Sequence, residues 1–283
     1  MMISNSREIP KVIHYCWFGG NPLPNDAIEC IASWKKYFPG YEIKEWNESN
    51  FDLNCCDYVR EAYEAKKWAF VSDYARFWIL YNYGGLYFDT DVEIIKPIDD
   101  LIDKGPFMGC EPWDTKSDSN YNEKVGCNPG LGLAAISRLD LYKEILENYQ
   151  TTHFILPDSG EPETVVERIT KILCLHGYKQ VNEVQNVCKV TVYPSDFFCP
   201  LNYGTGVLTI TDNTRSIHHY TASWLNDTGK RIVKIQQKYA AKGMPGCFQE
   251  KIETLPLRVK NKVDKLGLAS TIKFAIKKLL RKA

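Results

Sequence analysis

The rhythm of apolar and polar positions changes most sharply between Lys67 and Pro97, KWAFVSDYARFWILYNYGGLYFDTDVEIIKP. Phe70, Phe77, Ile79, Leu80 and Tyr83 scatter as they would along a helix, and Asp73 and Arg76 fall three apart on one face of it. Gly84-Gly85 supply the permissive backbone that ends a helix and turns the chain. Leu86, Tyr87 and Phe88 then predict a short buried strand with Asp89-Thr90-Asp91 at its C-terminal end. In open α/β sheets that end of a strand borders the ligand crevice.

Before this stretch, Lys11–Phe18 reads as a first buried strand stopped by Gly19-Gly20. A helix capped by Asn25 or Asp26 is expected to run to Lys36, a strand over Tyr41–Trp46, and a helix near Asp57–Lys67. After it, Val92–Ile95 continues as a strand, and residues 111–127 are polar, aperiodic and expected to loop over a site. Asn128-Pro129-Gly130 opens the strand LGLAAIS, and Ser137 caps a helix to Tyr149. Pro162 marks the first turn of a helix over Glu163–Leu175, and Val187–Tyr193 is a strand. Thr209 to Trp224 closes the globular part. Strands alternate with helices in the first half, so the class is α/β with a mostly parallel sheet.

Composition narrows the picture a little. The chain has 283 residues, no net charge and 13% aromatic content, enough for one large α/β domain or two small ones and suited to handling rings such as sugars or bases. No secretion signal is evident and no apolar run approaches the roughly 18 residues of a spanning helix. The ten cysteines include no C-x-x-C pair, and Cys55-Cys56 are adjacent, so reduced thiols in a cytoplasmic setting are expected. Charge is uneven: residues 258–283 hold nine Lys or Arg against Asp264 alone. We therefore read residues 1–250 as the globular domain and 251–283 as a basic tail, with no nucleic-acid partner indicated. From Ile272 the apolar Ile276, Leu279 and Leu280 oppose Lys273, Lys277 and Arg281, the pattern of a helix lying on an anionic membrane.

Asp89 and Asp91 are hard oxygen ligands suited to Mg²⁺ or Mn²⁺ carrying a diphosphate. On spacing alone, two acids after a strand are as often a solvated loop, and Asp73–Arg76 is as readily an ordinary intrahelical ion pair. Beside a metal, Arg76 bonds phosphate or sugar oxygens and Asp73 accepts from sugar hydroxyls. Trp17 is by residue type a core side chain, although the glycine turn beyond it leaves room for a base. In His218-His219-Tyr220-Thr221-Ala222-Ser223-Trp224 the vicinal histidines point to opposite faces, so one of them at most meets the metal. Ser223 and Trp224 suit a phosphate and a nucleotide cap.

Taken together, IPKVIHYCWFGG, AFVSDYARFWILYNYGGLYFDTDVEIIKPID and SIHHYTASW resemble the family 32 glycosyltransferases, the DXD-containing sugar transferases of capsule and surface-polysaccharide loci. The resemblance spans roughly residues 9–226 and is similar in kind to yeast Golgi mannosyltransferases. It implies a GT-A fold, a Rossmann-like mixed sheet flanked by helices. It also implies a nucleotide-sugar donor, Mn²⁺ or Mg²⁺, and retention of anomeric configuration. Carried over residue by residue, it implies that Cys16 (through its backbone) and Trp17 hold the base and Ser72 the ribose region. Asp73 and Arg76 then contact the donor sugar, Tyr87 and Asp89 line its pocket, and Asn128 faces it. Asp91 and Asp89 hold the metal with His219, and Ser223 and Trp224 close over the diphosphate. Ser159-Gly160-Glu161-Pro162 stands where the family often has Gly-Pro, in a region tied to the acceptor, and Ala222 replaces a common Gly.

The resulting expectation is a membrane-peripheral hexosyltransferase using a UDP-sugar and a glycan or lipid-linked oligosaccharide acceptor. Two other readings share these residues: a non-catalytic nucleotide- or carbohydrate-binding protein, and a phosphatase of the Asp-x-Asp nucleophile type. The second fits poorly, because its motif normally stands near the chain start, and here a helix-borne SDxxR precedes it and a proline follows.

Overall fold

The computed structural model describes residues 8–112, 124–155, 162–221 and 226–267. They begin with strand β1 (Val12–Cys16), helix α1 (Asn25–Tyr37), β2 (Glu42–Trp46) and helices α2 (Asp57–Glu64) and α3 (Trp68–Tyr83). There follow β3 (Gly85–Tyr87), β4 (Val92–Ile94), α4 (Asp99–Ile102), β5 (Phe107–Pro112) and β6 (Val125–Ala135). Then come α5 (Asp140–Gln150), α6 (Val165–Leu175), β7 (Gln185–Val187), β8 (Val190–Tyr193) and α7 (Ser195–Phe198). Strand β9 (Ser216–His218) and helices α8 (Asp227–Ala240) and α9 (Phe248–Leu266) complete them.

Seven strands form one sheet in the order β2-β1-β3-β6-β5-β8-β7, and β4 pairs with β9 in a separate ribbon. The pairs β1–β2, β1–β3 and β5–β8 are parallel, while β6 runs against both β3 and β5, and β7 against β8. Five strands therefore share one direction, which is the expected mixed, mostly parallel α/β sheet flanked by helices. Both faces are covered. Tyr87, Leu133 and Val192 pack on Val71, Tyr74, Phe77, Tyr142 and Leu173 on one side. Ile13, Leu86 and Phe107 pack on Ile31, Trp34, Phe88 and Phe198 on the other. Double coverage explains why the central strands read as continuous apolar runs rather than alternating ones.

The helix-to-strand turn after α3 is set by Gly84 and Gly85, whose φ angles are +68° and +101°. A Cβ on Gly85 would lie 2.7 Å from the Val12 carbonyl oxygen, so β3 can approach β1 only with glycine there. His14 of β1 locks the same turn, with Nε2 3.1 Å from the Gly84 carbonyl and Nδ1 accepting from the Trp46 indole at 3.1 Å.

Several boundaries differ from the sequence expectation. Asn25 is the first residue of α1, and Pro24 is its N-cap, with no side-chain capping bond. Likewise α5 is capped by Leu139 rather than Ser137, and α6 starts at Val165 behind a capping box of Thr164 and Glu167, so Pro162 precedes the helix. Helix α2 stops at Glu64, and Lys67 instead precedes α3. The strand expected over Val187–Tyr193 is the hairpin β7–β8, turned by Cys188 and Lys189 at φ +50° and +67°. Of the loop expected over 111–127, residues 113–123 lie outside the described residues, while Glu111 and Pro112 end β5 and Val125 begins β6, which already contains Asn128. Helices α8 and α9 follow the expected end of the globular part at Trp224.

The chain divides into two compact units. The first takes Met1–Phe154, Glu163–Leu201 and Leu208–Thr221, and the second takes Ile155–Pro162, Asn202–Val207 and Ala222–Ala283. Within the second, α8 and α9 form a helical hairpin. No helix among the described residues is long and apolar enough to cross a membrane. The expected membrane helix from Ile272 lies outside the described residues.

Candidate active site

Asp89 stands just past the end of β3, and Asp91 immediately before β4. Because β4 pairs with β9, Val92 faces His218 and Glu93 faces Ile217. That register places the His218 Nε2 3.0 Å from Asp91 Oδ1. Asp89, Asp91 and His218 each present a ligand atom within 4.8 Å of the others. The expected third ligand, His219, is not there: its ring turns to the other side and meets Glu93 Oε2 at 2.9 Å. The reason is the alternation of side chains along a strand, with the phase set by the pairing of β4 and β9.

Asp91 is held from every side. Its Oδ2 accepts from the Thr221 N–H at 2.9 Å and the Thr221 hydroxyl at 3.0 Å, and its carbonyl accepts from the His219 N–H at 2.9 Å. Burial alone would raise the Asp91 carboxyl, but the His218 charge and these hydrogen bonds outweigh it and keep it below the usual carboxylate range. Burial pulls the other way on His218, and there too Asp91 prevails and raises the imidazole.

Arg76 reaches the same place from α3. Its Nη2 lies 3.0 Å from Asp73 Oδ1 and 3.2 Å from Asp89 Oδ1, and its Nε donates to the Ser72 carbonyl at 3.2 Å. The Tyr87 hydroxyl donates to the same Asp89 oxygen at 3.1 Å, and the guanidinium sits 5.0 Å from the Tyr87 ring. Arg76 is 3% exposed, yet its Nη1 has no hydrogen-bond partner among the described residues. A buried guanidinium nitrogen left unspent beside a carboxylate is a place for an acceptor oxygen. Burial pushes Asp73 up to about 7 despite Arg76, and raises Asp89 as well.

Strand β6 supplies the far wall through an irregularity. Met108 pairs with Leu133, but the next residue, Gly109, pairs with Asn128, so the intervening Pro129–Gly132 bulge away from β5. The bulge carries Gly130 to Asp89: the Asp89 N–H donates to the Gly130 carbonyl at 3.1 Å, and a Cβ on Gly130 would lie 2.1 Å from Asp89 Oδ2. Asn128 Oδ1 accepts from the Gly130 N–H at 2.7 Å, while its amide donates to Glu111 Oε2 at 2.7 Å.

Glu111 is a residue that sequence reasoning missed. The same Oε2 accepts from the Tyr220 hydroxyl at 2.9 Å, and the Tyr220 ring packs 4.1 Å from that of His218. Cys199 Sγ also lies 2.9 Å from the Tyr220 hydroxyl. Tyr220 is held at φ +49°, an uncommon conformation for an aromatic residue. Glu111 and Tyr220 thus tie Asn128 to the histidine loop. A hint was present in the sequence, since Glu111 ends an apolar strand as Asp89 does, but pairing across two strands is needed to see it.

The remaining expected residues divide. Cys16 is buried at the end of β1, burial pushing its thiol up to about 12, and it neighbours Tyr87. Trp17 is half-buried, with its indole donating to the Asn21 carbonyl at 2.6 Å. Ser72 bonds back to the Trp68 carbonyl at 3.2 Å within α3. Ser223 and Trp224 lie outside the described residues.

Four carboxylates, Asp73, Asp89, Asp91 and Glu111, therefore belong to one connected cluster with the Arg76 guanidinium and the His218 imidazole. The donor set of two carboxylates and an imidazole, with anionic charge in excess, fits a divalent cation of the Mn²⁺ or Mg²⁺ type. The family described as "Glycosyltransferase sugar-binding region containing DXD motif" matches residues 24–108, which span α1 through α3 and both acids. Residues 24–108 are thus similar to the DXD-containing sugar-binding region of glycosyltransferases. The fold is a mixed, mostly parallel α/β sheet, with the DXD pair just past the C-terminal end of β3, which runs parallel to β1. Inositol phosphoceramide mannosyltransferase 1 of Schizosaccharomyces pombe is 31% identical over 112 residues, 36% of this chain and 34% of that protein. Subversion of eukaryotic traffic protein A of Legionella pneumophila is 26% identical over 200 residues, 60% of this chain and 30% of that one. This DXD chain spans about a third of the length of these curated relatives. Among solved structures, the PaToxG glycosyltransferase shares 18% identity at a TM-score of 0.43, covering 59% of this chain and 69% of its own. A galactosyltransferase, LgtC, shares 15% at a TM-score of 0.38, covering 86% and 99%.

Proposed function

We propose that this chain is a retaining glycosyltransferase that moves a hexose from a UDP-sugar, with Mn²⁺, onto a growing or lipid-linked surface glycan. The observation that carries the reading is the Arg76–Asp89–Asp91–His218 constellation, with the Arg76 Nη1 unspent beside the DXD acids. Asp89, Asp91 and His218 are the residues that would hold the metal, which supplies Lewis-acid charge for a leaving diphosphate. Arg76 adds a fixed positive charge where negative charge develops, and its burial makes that charge count for more. Asp73 serves twice in this account: it orients Arg76, and it accepts from sugar hydroxyls. Asn128, fixed by Glu111 and Gly130, presents its amide group to the donor sugar. Cys16, Trp17 and Ser72 line the base and ribose end, with Ser223 and Trp224 closing the diphosphate end. We place the enzyme on the cytoplasmic side, at the inner face of the plasma membrane.

A second donor is favoured by one observation: two fission-yeast relatives are named mannosyltransferases, so GDP-mannose is the runner-up. The test is hydrolysis of UDP-sugars and of GDP-mannose by the purified chain with Mn²⁺, against Asp91→Asn. Turnover of one nucleotide sugar that disappears in Asp91→Asn supports the reading, and the substrate consumed names the base. Equal turnover by Asp91→Asn overturns it, as does phosphate release from simple phosphomonoesters with no nucleotide consumed.

A further inference from the structure

Helix α9 is amphipathic the wrong way round for a helix that packs on its own protein. Phe248, Ile252, Leu255 and Val259 recur at the spacing of one helical stripe, and they are 74%, 55%, 60% and 52% exposed. The polar side faces inward instead. Glu250 and Thr254 are 4% and 0% exposed; the Thr254 hydroxyl donates to the Glu250 carbonyl at 2.8 Å, and Arg258 donates to Thr254 Oγ1 at 3.1 Å. A large apolar side chain left in water costs free energy at each of the four positions, and a stripe of them marks a contact surface.

The charges around the stripe identify what that surface meets. Lys251 and Lys260 are exposed along α9. Of the acids, Glu250 is buried, accepting from the Gly246 N–H and lying 3.8 Å from Arg258, while the exposed Glu253 is neutralised by Lys238 at 3.2 Å and bonded by the Tyr239 hydroxyl at 2.9 Å. By helical spacing Asp264 falls on the side away from the stripe. An apolar strip rimmed by long cationic side chains is complementary to a surface that is apolar below and anionic at the level of the head groups.

We infer that the Phe248–Val259 stripe of α9 is an anionic-membrane contact, in which the apolar side chains enter the head-group boundary and the flanking cations meet lipid phosphates. The contact is separate from the basic stretch beyond Ile272 and requires no turnover, so it stands or falls apart from the transferase reading.

The experiment is cosedimentation of the full chain with phosphatidylcholine vesicles, with and without phosphatidylglycerol. The expected result is binding to the anionic vesicles alone, weakened roughly tenfold or more by Ile252→Glu with Leu255→Glu. Lys251→Glu with Lys260→Glu should weaken it and leave the remaining binding less sensitive to salt. Phe248→Gln, a milder change at the most exposed position, serves as a second variant, and an unchanged thermal midpoint verifies the fold of each. Wild-type binding by the stripe variants, with loss only in Leu279→Glu with Leu280→Glu, would overturn the inference. So would equal binding to neutral vesicles, or a stripe variant that changes the oligomeric state and leaves vesicle binding intact.

Discussion

His218 Nε2 lies 3.0 Å from Asp91 Oδ1, whereas its neighbour His219 turns away to Glu93. Two adjacent, chemically identical side chains thus occupy separate environments, one buried with the DXD acids and the other half-exposed in a surface hydrogen bond to Glu93. His218→Ala is expected to lower kcat/KM at least a hundredfold, because removing even ~3 kcal/mol of transition-state stabilisation does so. His219→Ala should stay within a few-fold of wild type, since exposed pairs contribute little. Steady-state kinetics of the two variants at matched Mn²⁺ separates them. Equal losses would remove the distinction.

Arg76→Lys probes the unspent nitrogen. An ammonium can meet Asp73 or Asp89, but it cannot span both and still present a second donor nitrogen. We expect nucleotide-sugar affinity, measured calorimetrically with Mn²⁺, to fall by ten- to a hundredfold, on the scale of about 1.5–3 kcal/mol for a charge-assisted hydrogen bond. Stability should fall as well, because Asp73 is left incompletely paired while buried. Unchanged affinity would show that Nη1 has no part in binding.

Gly130→Ala tests the β6 bulge. The added methyl would meet Asp89 Oδ2 at 2.1 Å, so the carboxylate must move. The variant should lose nearly all turnover, and Mn²⁺ should no longer raise its thermal midpoint, although the sheet around it is intact. Wild-type activity would mean that Asp89 can shift freely, against the account.

His14 carries a pH signature independent of the site. Burial, aided by Lys44 and opposed by the Gly84 hydrogen bond, lowers its pKa from 6.5 to about 4. The folded state therefore holds the imidazole neutral, as the Trp46 bond to Nδ1 requires. For a base whose folded pKa is depressed, the unfolded chain takes the proton first. The stability is fully present above about pH 6.5 and is lost as the pH falls towards 4, by about 3 kcal/mol at most. Urea midpoints across that window should fall faster for wild type than for His14→Asn, which is less stable at pH 7.5 but lacks the titration. Parallel slopes would exclude His14 as the cause.

Much of the site's frame is written locally. The α3 helix, the Gly84-Gly85 turn and the Asp89/Asp91 pair are all set by neighbours in sequence, and each forms where periodicity and glycine chemistry place it. What sequence could not supply is register. The identity of the buried histidine depends on how β9 pairs with β4, and the Glu111–Asn128–Tyr220 network joins three segments through a bulge. At the two ends of the loop expected over 111–127, Glu111 and Val125–Cys127 are strand because pairing across the sheet outweighs local propensity. The helix starts missed by Asn25 and Ser137 have a simpler cause: Pro24 and Leu139 stand at the N-caps with no side-chain capping bond, so the polar-cap signal is absent there.

The central claim is that Asp89, Asp91 and His218 hold a cation that completes a nucleotide-sugar site. The most direct measurement is the thermal midpoint of wild type, Asp91→Asn and His218→Ala with UDP-sugars or GDP-mannose, with and without Mn²⁺. A ligand that binds the folded state alone raises the midpoint by mass action, about 2.7 kcal/mol at a hundred times Kd. The account predicts that one nucleotide sugar stabilises wild type when Mn²⁺ is present, and that both variants lose the effect. Stabilisation without metal, or full retention in either variant, would contradict it.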